Sequence, residues 1–330
     1  MQKTELPFSN SNPGISVSDL SRFAEGWLLD CEIRQHSQAT LDNRRLVLNN
    51  LVWFLNEKNY DTCSTLELRQ FFAYVTRGDK GTPGRWGHAD LDNTVRPSTV
   101  RTYHSRLRTF FRWAVGEGAI AKSPLDPIAP PISRTDQIQP FTEPQVGALL
   151  AASKKSKHPR RDEAIVMFLL DTGVRASELC GLRFGDLDLP GRRCTVVGKG
   201  NKVRAIFFGQ TTAKALWNYL RGGNHESASP LFASDRGTSA GDAFTRSGLF
   251  QLIERLGKVA KVEATRCSPH TFRHTFAISF LRNGGNVFTL QQILGHTCLQ
   301  MTNRYVALAQ ADIERQHRQY SPVDRIRRAK

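Results

Sequence analysis

Residues 118–139 hold four prolines, Pro124, Pro127, Pro130 and Pro131. Proline fixes φ, lacks an amide hydrogen and pushes the residue before it out of the helical region, so no continuous helix crosses this stretch. Residues 119–139 therefore read as an extended connector with a boundary near Arg134. It divides a 330-residue chain into two parts of ordinary domain size, and 39% hydrophobic residues supply a core for each. Residues 1–15 are polar and read as a flexible tail. The longest apolar run, residues 164–170, is far short of the roughly 18 residues a membrane span requires.

The part before the connector, residues 16–118, reads as helices. Ser16 with Asp19, and Ser64 with Glu67, are capping signals. Between them, residues 38–58 place Leu48, Leu51, Val52 and Leu55 on one helical face. The helix after Ser64 buries Leu68, Phe71, Phe72 and Val75, and Pro97 opens another with Val100, Tyr103, Leu107, Phe110, Phe111 and Ala114 at helical spacing. Arg101, Arg108 and Arg112 occupy a different stripe of that last helix. With Arg44 and Arg45 on the second helix they point to a helical module that grips a DNA backbone.

The part after the connector, residues 140–310, is mixed. Thr142 caps a helix, and an apolar helix covers residues 162–170. Short strands follow at residues 186–189, 193–197 and 203–208, the last two joined by the turn sequence Gly198-Lys199-Gly200-Asn201. Helical patterns then cover residues 212–220, 243–259, 271–281 and 289–294, and residues 311–330 form a charged tail. The fold class expected is mostly α with a small antiparallel β element.

Charge narrows the partner. Forty-six Lys and Arg against thirty Asp and Glu leave a net +16, which points to a polyanion. The surplus is concentrated late: residues 1–135 carry 17 basic and 14 acidic side chains, residues 136–330 carry 29 and 16. With no apolar signal segment at the start, the expected address is cytoplasmic, on the nucleoid. The six scattered cysteines show no ligand spacing and read as reduced thiols. There is no Gly-rich phosphate loop, no paired acidic cluster for magnesium and no nucleophile elbow, so neither cofactor nor metal is expected.

What remains is a set of cations and a phenol: Arg175 with Glu178, Lys199 and Lys202 at the hairpin, His270 and Arg273 one helical turn apart, His296, and Tyr305 nine residues on. Two guanidiniums can grip a phosphodiester and offset charge in a pentacoordinate transition state. A histidine can handle the proton of an attacking hydroxyl, and a lysine can protonate a leaving alkoxide. A tyrosine nucleophile stores the energy of the broken ester, so resealing needs no ATP. The chemistry implied is DNA strand transfer through a phosphotyrosine.

The order Arg…Lys…His-x-x-Arg…His…Tyr, with Leu294-Gly295-His296 nine residues ahead of Tyr305, resembles the tyrosine recombinase (phage integrase-like) family, closely over residues 140–310. The first half resembles that family's SAM-like, core-DNA-binding bundle in size and helicity only. The resemblance implies that Arg175 and Arg273 clamp the phosphate, that Lys199 is the general acid and that His270 manages the nucleophile's proton. It further implies that His296 hydrogen-bonds the scissile phosphate, that Tyr305 attacks and that Glu178 supports the arginines. His274 matches a frequent family residue and reads as structural. Double-stranded DNA, a homotetramer, a Holliday junction and a possible directionality factor are the implied partners and intermediate, and the tail would dock on a neighbouring subunit. Thr40, Asn43 and Arg44 with Arg101 and Arg108 are the candidate base readers. The stretch from Leu294 to Tyr305 reads towards mobile-element integration and excision, with Xer-type replicon dimer resolution as the alternative. A type IB topoisomerase-like enzyme and a non-catalytic DNA-binding protein stay open.

Overall fold

Ser16 caps the first helix as its sequence predicts: its hydroxyl accepts from the Asp19 amide at 3.0 Å and donates to the Asp19 carboxylate at 2.8 Å. The computed structural model describes residues 14–78, 84–88, 91, 94–132, 139–198, 202–223, 225–234, 241–296, 298–309, 317, 321 and 323. The chain divides into two compact units, residues 1–136 and 137–330.

In the first unit, α1 (Val17–Ile33), α2 (Gln38–Glu57), α3 (Thr65–Arg77) and α4 (Pro97–Gly116) pack as a bundle. A short antiparallel ribbon of β1 (Ile15–Ser16) and β2 (Thr62–Cys63) ties the start of α1 to the start of α3. Ile15 thus belongs to the folded unit and not to the tail. Ser64 and Glu67 form a full capping box on α3, satisfying amides that a helix start leaves without partners. The core is aromatic. Phe54 meets Phe71 and Trp27 meets Phe110 edge to face, each pair with centroids 5.6 Å apart, a favoured arrangement of ring quadrupoles.

The proline-rich stretch forms no helix where it is described, but its first half is not a free tether. Leu125 is buried in the first core, and Ile120 and Ile128 pack against it. The Pro124 carbonyl accepts from the Thr65 hydroxyl at 2.8 Å, and the Ile128 carbonyl lies 2.9 Å from His104 Nε2. Apolar residues among the prolines have a core to reach, which the proline pattern alone does not show. Arg134 lies outside the described residues.

The second unit holds α5 (Glu143–Lys154), α6 (Pro159–Thr172) and α7 (Ala176–Gly181), then a three-stranded antiparallel sheet. The sheet is ordered β3 (Leu187–Asp188), β4 (Arg193–Val197), β5 (Val203–Phe207). After it come α8 (Gln210–Leu220), α9 (Arg246–Val259), α10 (Pro269–Arg282), α11 (Val287–Leu294) and α12 (Leu299–Ala309). The middle of α6, residues 164–170, is apolar all round, so it is buried: Ala164, Ile165, Val166, Phe168 and Leu169 are sealed from solvent. In the sheet, Cys194 pairs with Ile206 and Val196 with Arg204. Side chains alternate along a strand, so Arg204 shares the inward face with Ile206. A second small core of Ala277, Ile278, Leu281, Leu290 and Leu294 fixes α10, α11 and α12 against one another, and Tyr305 is part of it. Among the described residues no helix is long and apolar enough to cross a membrane.

Candidate active site

Helix ends make the site. Helix α6 closes on Gly173 and α11 on Gly295, both left-handed (φ 59° and 62°), a conformation that suits glycine because a Cβ would crowd the following carbonyl. The last carbonyls of a helix lack intrahelical partners and carry partial negative charge, so they attract cations. Three guanidiniums answer them. Arg273 donates to the Gly173 carbonyl at 2.8 Å and to the Leu294 carbonyl at 2.7 Å, joining the ends of α6 and α11. Arg175, the N-cap of α7, donates to the Gly295 carbonyl at 3.0 Å, and Arg204 Nε donates to the Ile293 carbonyl at 2.9 Å.

One buried carboxylate stands among them. Glu178 accepts from Arg175 Nη1 at 2.8 Å and from the Arg175 amide at 2.9 Å. It also takes both terminal nitrogens of Arg204, at 2.7 and 2.8 Å. Burial works to raise the Glu178 pKa, but the hydrogen bonds and charges of Arg204 and Arg175 outweigh it and hold the carboxyl at about 2. Arg273 is pulled down to about 10, first by burial and then by the neighbouring Arg175.

Tyr305 reaches this cluster from α12 within the same chain. Its side chain is only 4% exposed, and its hydroxyl lies 2.8 Å from His274 Nδ1, with the Arg273 guanidinium close enough to act on it electrostatically. Burial raises the phenol pKa, while Arg273, Arg304 and Arg175 act to lower it. The His296 ring stacks on the tyrosine ring at 6.2 Å and 13°, and its Nδ1 sits 2.9 Å from the Thr302 hydroxyl. Nε2 is therefore the nitrogen of His296 that could meet a substrate. His274 and His296 are both held at about 4, mainly by burial and then by the surrounding positive groups. His270 is exposed at the first turn of α10, and the protein mass around it, then Arg273, Arg175 and Arg266, push its pKa down. Neutral imidazoles beside three guanidiniums and one carboxylate leave a surplus of positive charge, suited to an anion.

The structure thus gathers Arg175, Glu178, Arg273, His296 and Tyr305, with His270 at the rim. Lys199 lies outside the described residues; Lys202 is exposed, with its carbonyl taking the Gly198 amide at 2.8 Å. Two site residues escape a reading of the sequence. An arginine in a short strand reads as solvent-facing, so the only signal that could have found Arg204 is its alternation with Ile206. His274, which reads as structural, is the imidazole on the Tyr305 hydroxyl. Its i, i+4 relation to His270 puts both on one face of α10, but sequence does not say which meets α12.

The DNA-backbone candidates divide. Arg101, Arg108 and Arg112 are exposed on α4, and Asn43 is exposed on α2, donating to the Ala39 carbonyl at 2.6 Å. Thr40 is half-buried, its hydroxyl 2.9 Å from that of Ser37, and Arg45 lies 3.9 Å from Glu32. Arg44 departs from the expectation. Its guanidinium lies over Trp27, 4.7 Å from the ring centroid, and donates to Cys31 Sγ at 2.6 Å, so cation–π attraction turns it into the bundle.

A mostly helical chain with a small antiparallel sheet, bringing a tyrosine, imidazoles and guanidiniums into one cluster, has the architecture of a DNA strand-transfer enzyme with a phenolic nucleophile. The Phage integrase family model matches residues 139–312. Tyrosine recombinase XerC of Pelobacter propionicus is 33% identical over 254 residues, 72% of this chain and 81% of the relative. Tyrosine recombinase XerD of Yersinia pestis is 30% identical over 298 residues, 88% of this chain and 93% of the relative. Among solved structures, the Tn1549 transposon integrase in complex with transposon right end DNA superposes with a TM-score of 0.67 at 21% identity, covering 88% of this chain and 94% of that one. A lambda integrase dimer bound to a core site gives 0.66 at 18%, covering 86% and 96%, and these likenesses carry the fold. The chain belongs to the phage integrase family of site-specific tyrosine recombinases, enzymes that cleave and rejoin DNA.

Proposed function

We propose that Tyr305 attacks a DNA phosphodiester, leaving a 3′-phosphotyrosyl link and a free 5′ hydroxyl, and that the link is passed to a partner strand. The observation that carries this reading is the buried Tyr305 hydroxyl set between His274 and Arg273 within its own chain. Arg175 and Arg273 clamp the non-bridging oxygens, braced by Glu178; both already point N–H groups into the cluster, and guanidiniums suit bidentate phosphate contacts. His296 donates Nε2 to the same phosphate, His270 contacts it from the exposed rim, and Lys199 protonates the 5′ oxygen.

Residues 16–118 form the core-DNA-binding domain and residues 140–310 the catalytic domain on double-stranded DNA, in the cytoplasm on the nucleoid. A homotetramer synapses two sites and exchanges strands through a Holliday junction, with residues 311–330 docking in trans and a directionality factor setting the outcome. Of that tail, only residues 317, 321 and 323 are among those described. Mobile-element integration and excision is the first biological reading. Xer-type dimer resolution is the second, favoured by the XerC and XerD relatives.

The test traps covalent complexes with detergent on sheared DNA from the source genome and sequences the attached strands. The wild type is expected to carry nucleotide on Tyr305, detectable by peptide mass spectrometry, and Tyr305→Phe none. Adducts that persist in Tyr305→Phe overturn the nucleophile. Cleavage lost in EDTA would contradict the metal-free chemistry. The recovered sequences separate element ends from a single replicon site.

A further inference from the structure

The two histidines of α10 are four positions apart, so both lie on one face of that helix, yet they differ in surroundings. His270 is exposed. His274 is half-buried, with Nδ1 2.8 Å from the Tyr305 oxygen and its ring centroid 5.6 Å from the tyrosine ring. We propose that His274 is a catalytic residue: it accepts the Tyr305 proton through Nδ1 as the phenolic oxygen bonds to phosphorus. This rests on Tyr305 being the nucleophile, and it moves the proton-accepting role from His270 to the neighbour of Arg273.

A 2.8 Å separation is hydrogen-bond length, within the reach required of a general base. Burial, then His270 and Arg273 on α10 and Arg304 on α12, keep His274 neutral, and a neutral imidazole whose Nδ1 faces a phenol accepts the O–H when its own proton is on Nε2. The proton balance is simple. As Tyr305 Oη bonds to phosphorus its O–H bond breaks, and the proton goes to His274 Nδ1. The bond from phosphorus to the 5′ oxygen breaks with its electron pair on that oxygen, which takes a proton from the Lys199 ammonium. Rejoining runs the same steps backward.

A base held near 4 is weak by itself, and two effects strengthen it during the reaction. The scissile phosphate brings negative charge next to the imidazole, which favours its protonated form. The phenol also becomes far more acidic as its oxygen bonds to phosphorus, so transfer late in the step runs downhill. His270, facing solvent above the arginines, is better placed to meet the phosphate from outside.

The experiment measures single-turnover adduct formation on a nicked duplex carrying the site recovered from trapped complexes. It compares His274→Asn, which can accept a hydrogen bond but not a proton, with His270→Asn. Each is prepared with tyrosine or 3,5-difluorotyrosine, a more acidic phenol, at position 305. His274→Asn is expected to bind DNA like the wild type and to slow adduct formation about 100-fold, the general-base range, with difluorotyrosine restoring ten-fold or more. A merely structural role for His274 gives no such rescue. Rescue confined to His270→Asn, or a His274→Asn rate within a few-fold of wild type, overturns the proposal. His274→Gln serves the same comparison where the Asn variant does not fold. A wild type that forms no adduct fails the nucleophile reading instead, so the two failures are distinct.

Discussion

Arg204 holds Glu178 with both terminal nitrogens, at 2.7 and 2.8 Å, from the inward face of β5. Glu178 in turn holds the side chain and amide of Arg175, while Arg204 Nε reaches the Ile293 carbonyl near the end of α11. The sheet, α7 and the turn before His296 are thus braced through one guanidinium. Breaking a buried pair by removing one partner typically costs about 3–5 kcal/mol, because the other charge is left uncompensated. Lysine keeps the charge but offers a single point donor, so it cannot span two carboxylate oxygens and a carbonyl. Arg204→Lys is expected to lower adduct formation roughly 10- to 100-fold with little change in DNA affinity, as transition-state contacts misplaced by small shifts do. Trapped-complex rates beside gel-shift titrations check this, and a variant cleaving at the wild-type rate removes the brace from the mechanism.

Much of this architecture is legible in the chain, and the exceptions share a cause. Ser16, Ser64 and Thr142 each cap the helix their local sequence promises, and β4 falls on the five residues expected for it, because capping and alternation are local rules. The two-residue strands at Ile15 and Thr62 carry no pattern of their own and exist because α1 and α3 bring them together. Much of the ordered series of arginines, histidines and tyrosine comes together in one cluster, yet the partner of each side chain depends on tertiary packing. Arg44 looks like Arg45 in the sequence and ends against Trp27. His274 looks like a spare histidine until α12 packs on α10 and sets Tyr305 against it.

Acid should weaken the second unit in two windows. His274 and His296 sit at about 4 in the native protein, chiefly through burial, against about 6.5 when unfolded. The unfolded chain therefore binds more protons between those values, and stability present above pH 6.5 is lost as pH falls towards 4. Glu178, held at about 2 against an ordinary 4.5, contributes stability present above about 4.5 and lost as pH falls towards 2. Calorimetric unfolding across pH 7.5 to 3 is expected to show the higher limb flattened in a His274→Asn, His296→Asn double variant, with the lower limb kept. A double variant whose melting temperature falls as steeply as the wild type between pH 6.5 and 4.5 would refute the assignment.

Gly173 links backbone conformation to the site. It sits at φ 59°, its carbonyl accepts from Arg273, and an added Cβ would lie 2.5 Å from Phe276 Cδ1 and 3.1 Å from Leu294 Cδ2. Left-handed strain and overpacking together predict about 2–4 kcal/mol of destabilisation for Gly173→Ala. The carbonyl moves with the backbone, so adduct formation should fall more than DNA affinity does. Urea unfolding and single-turnover cleavage measure both, and an unchanged midpoint would count against the packing argument.

Salt separates the arginines of the first unit. Arg101, Arg108 and Arg112 share the exposed side of α4, positioned to track a phosphate backbone, whereas the Arg44 guanidinium lies against Trp27 and Cys31. Each phosphate held by the protein releases condensed counterions and adds about 0.9 to the slope of log affinity against log salt. Replacing all three α4 arginines with alanine is expected to flatten that slope by about 0.9 for each phosphate no longer neutralised, while the melting temperature changes little, since their side chains are exposed. Arg44→Ala should do the reverse, lowering stability by about 1 kcal/mol because the cation–π attraction to Trp27 is gone, and leaving the slope alone. Fluorescence anisotropy on a duplex between about 50 and 200 mM salt reads the slopes. Should the triple variant keep the wild-type slope while Arg44→Ala flattens it, the face of the bundle that meets DNA would be the α2 side and not α4.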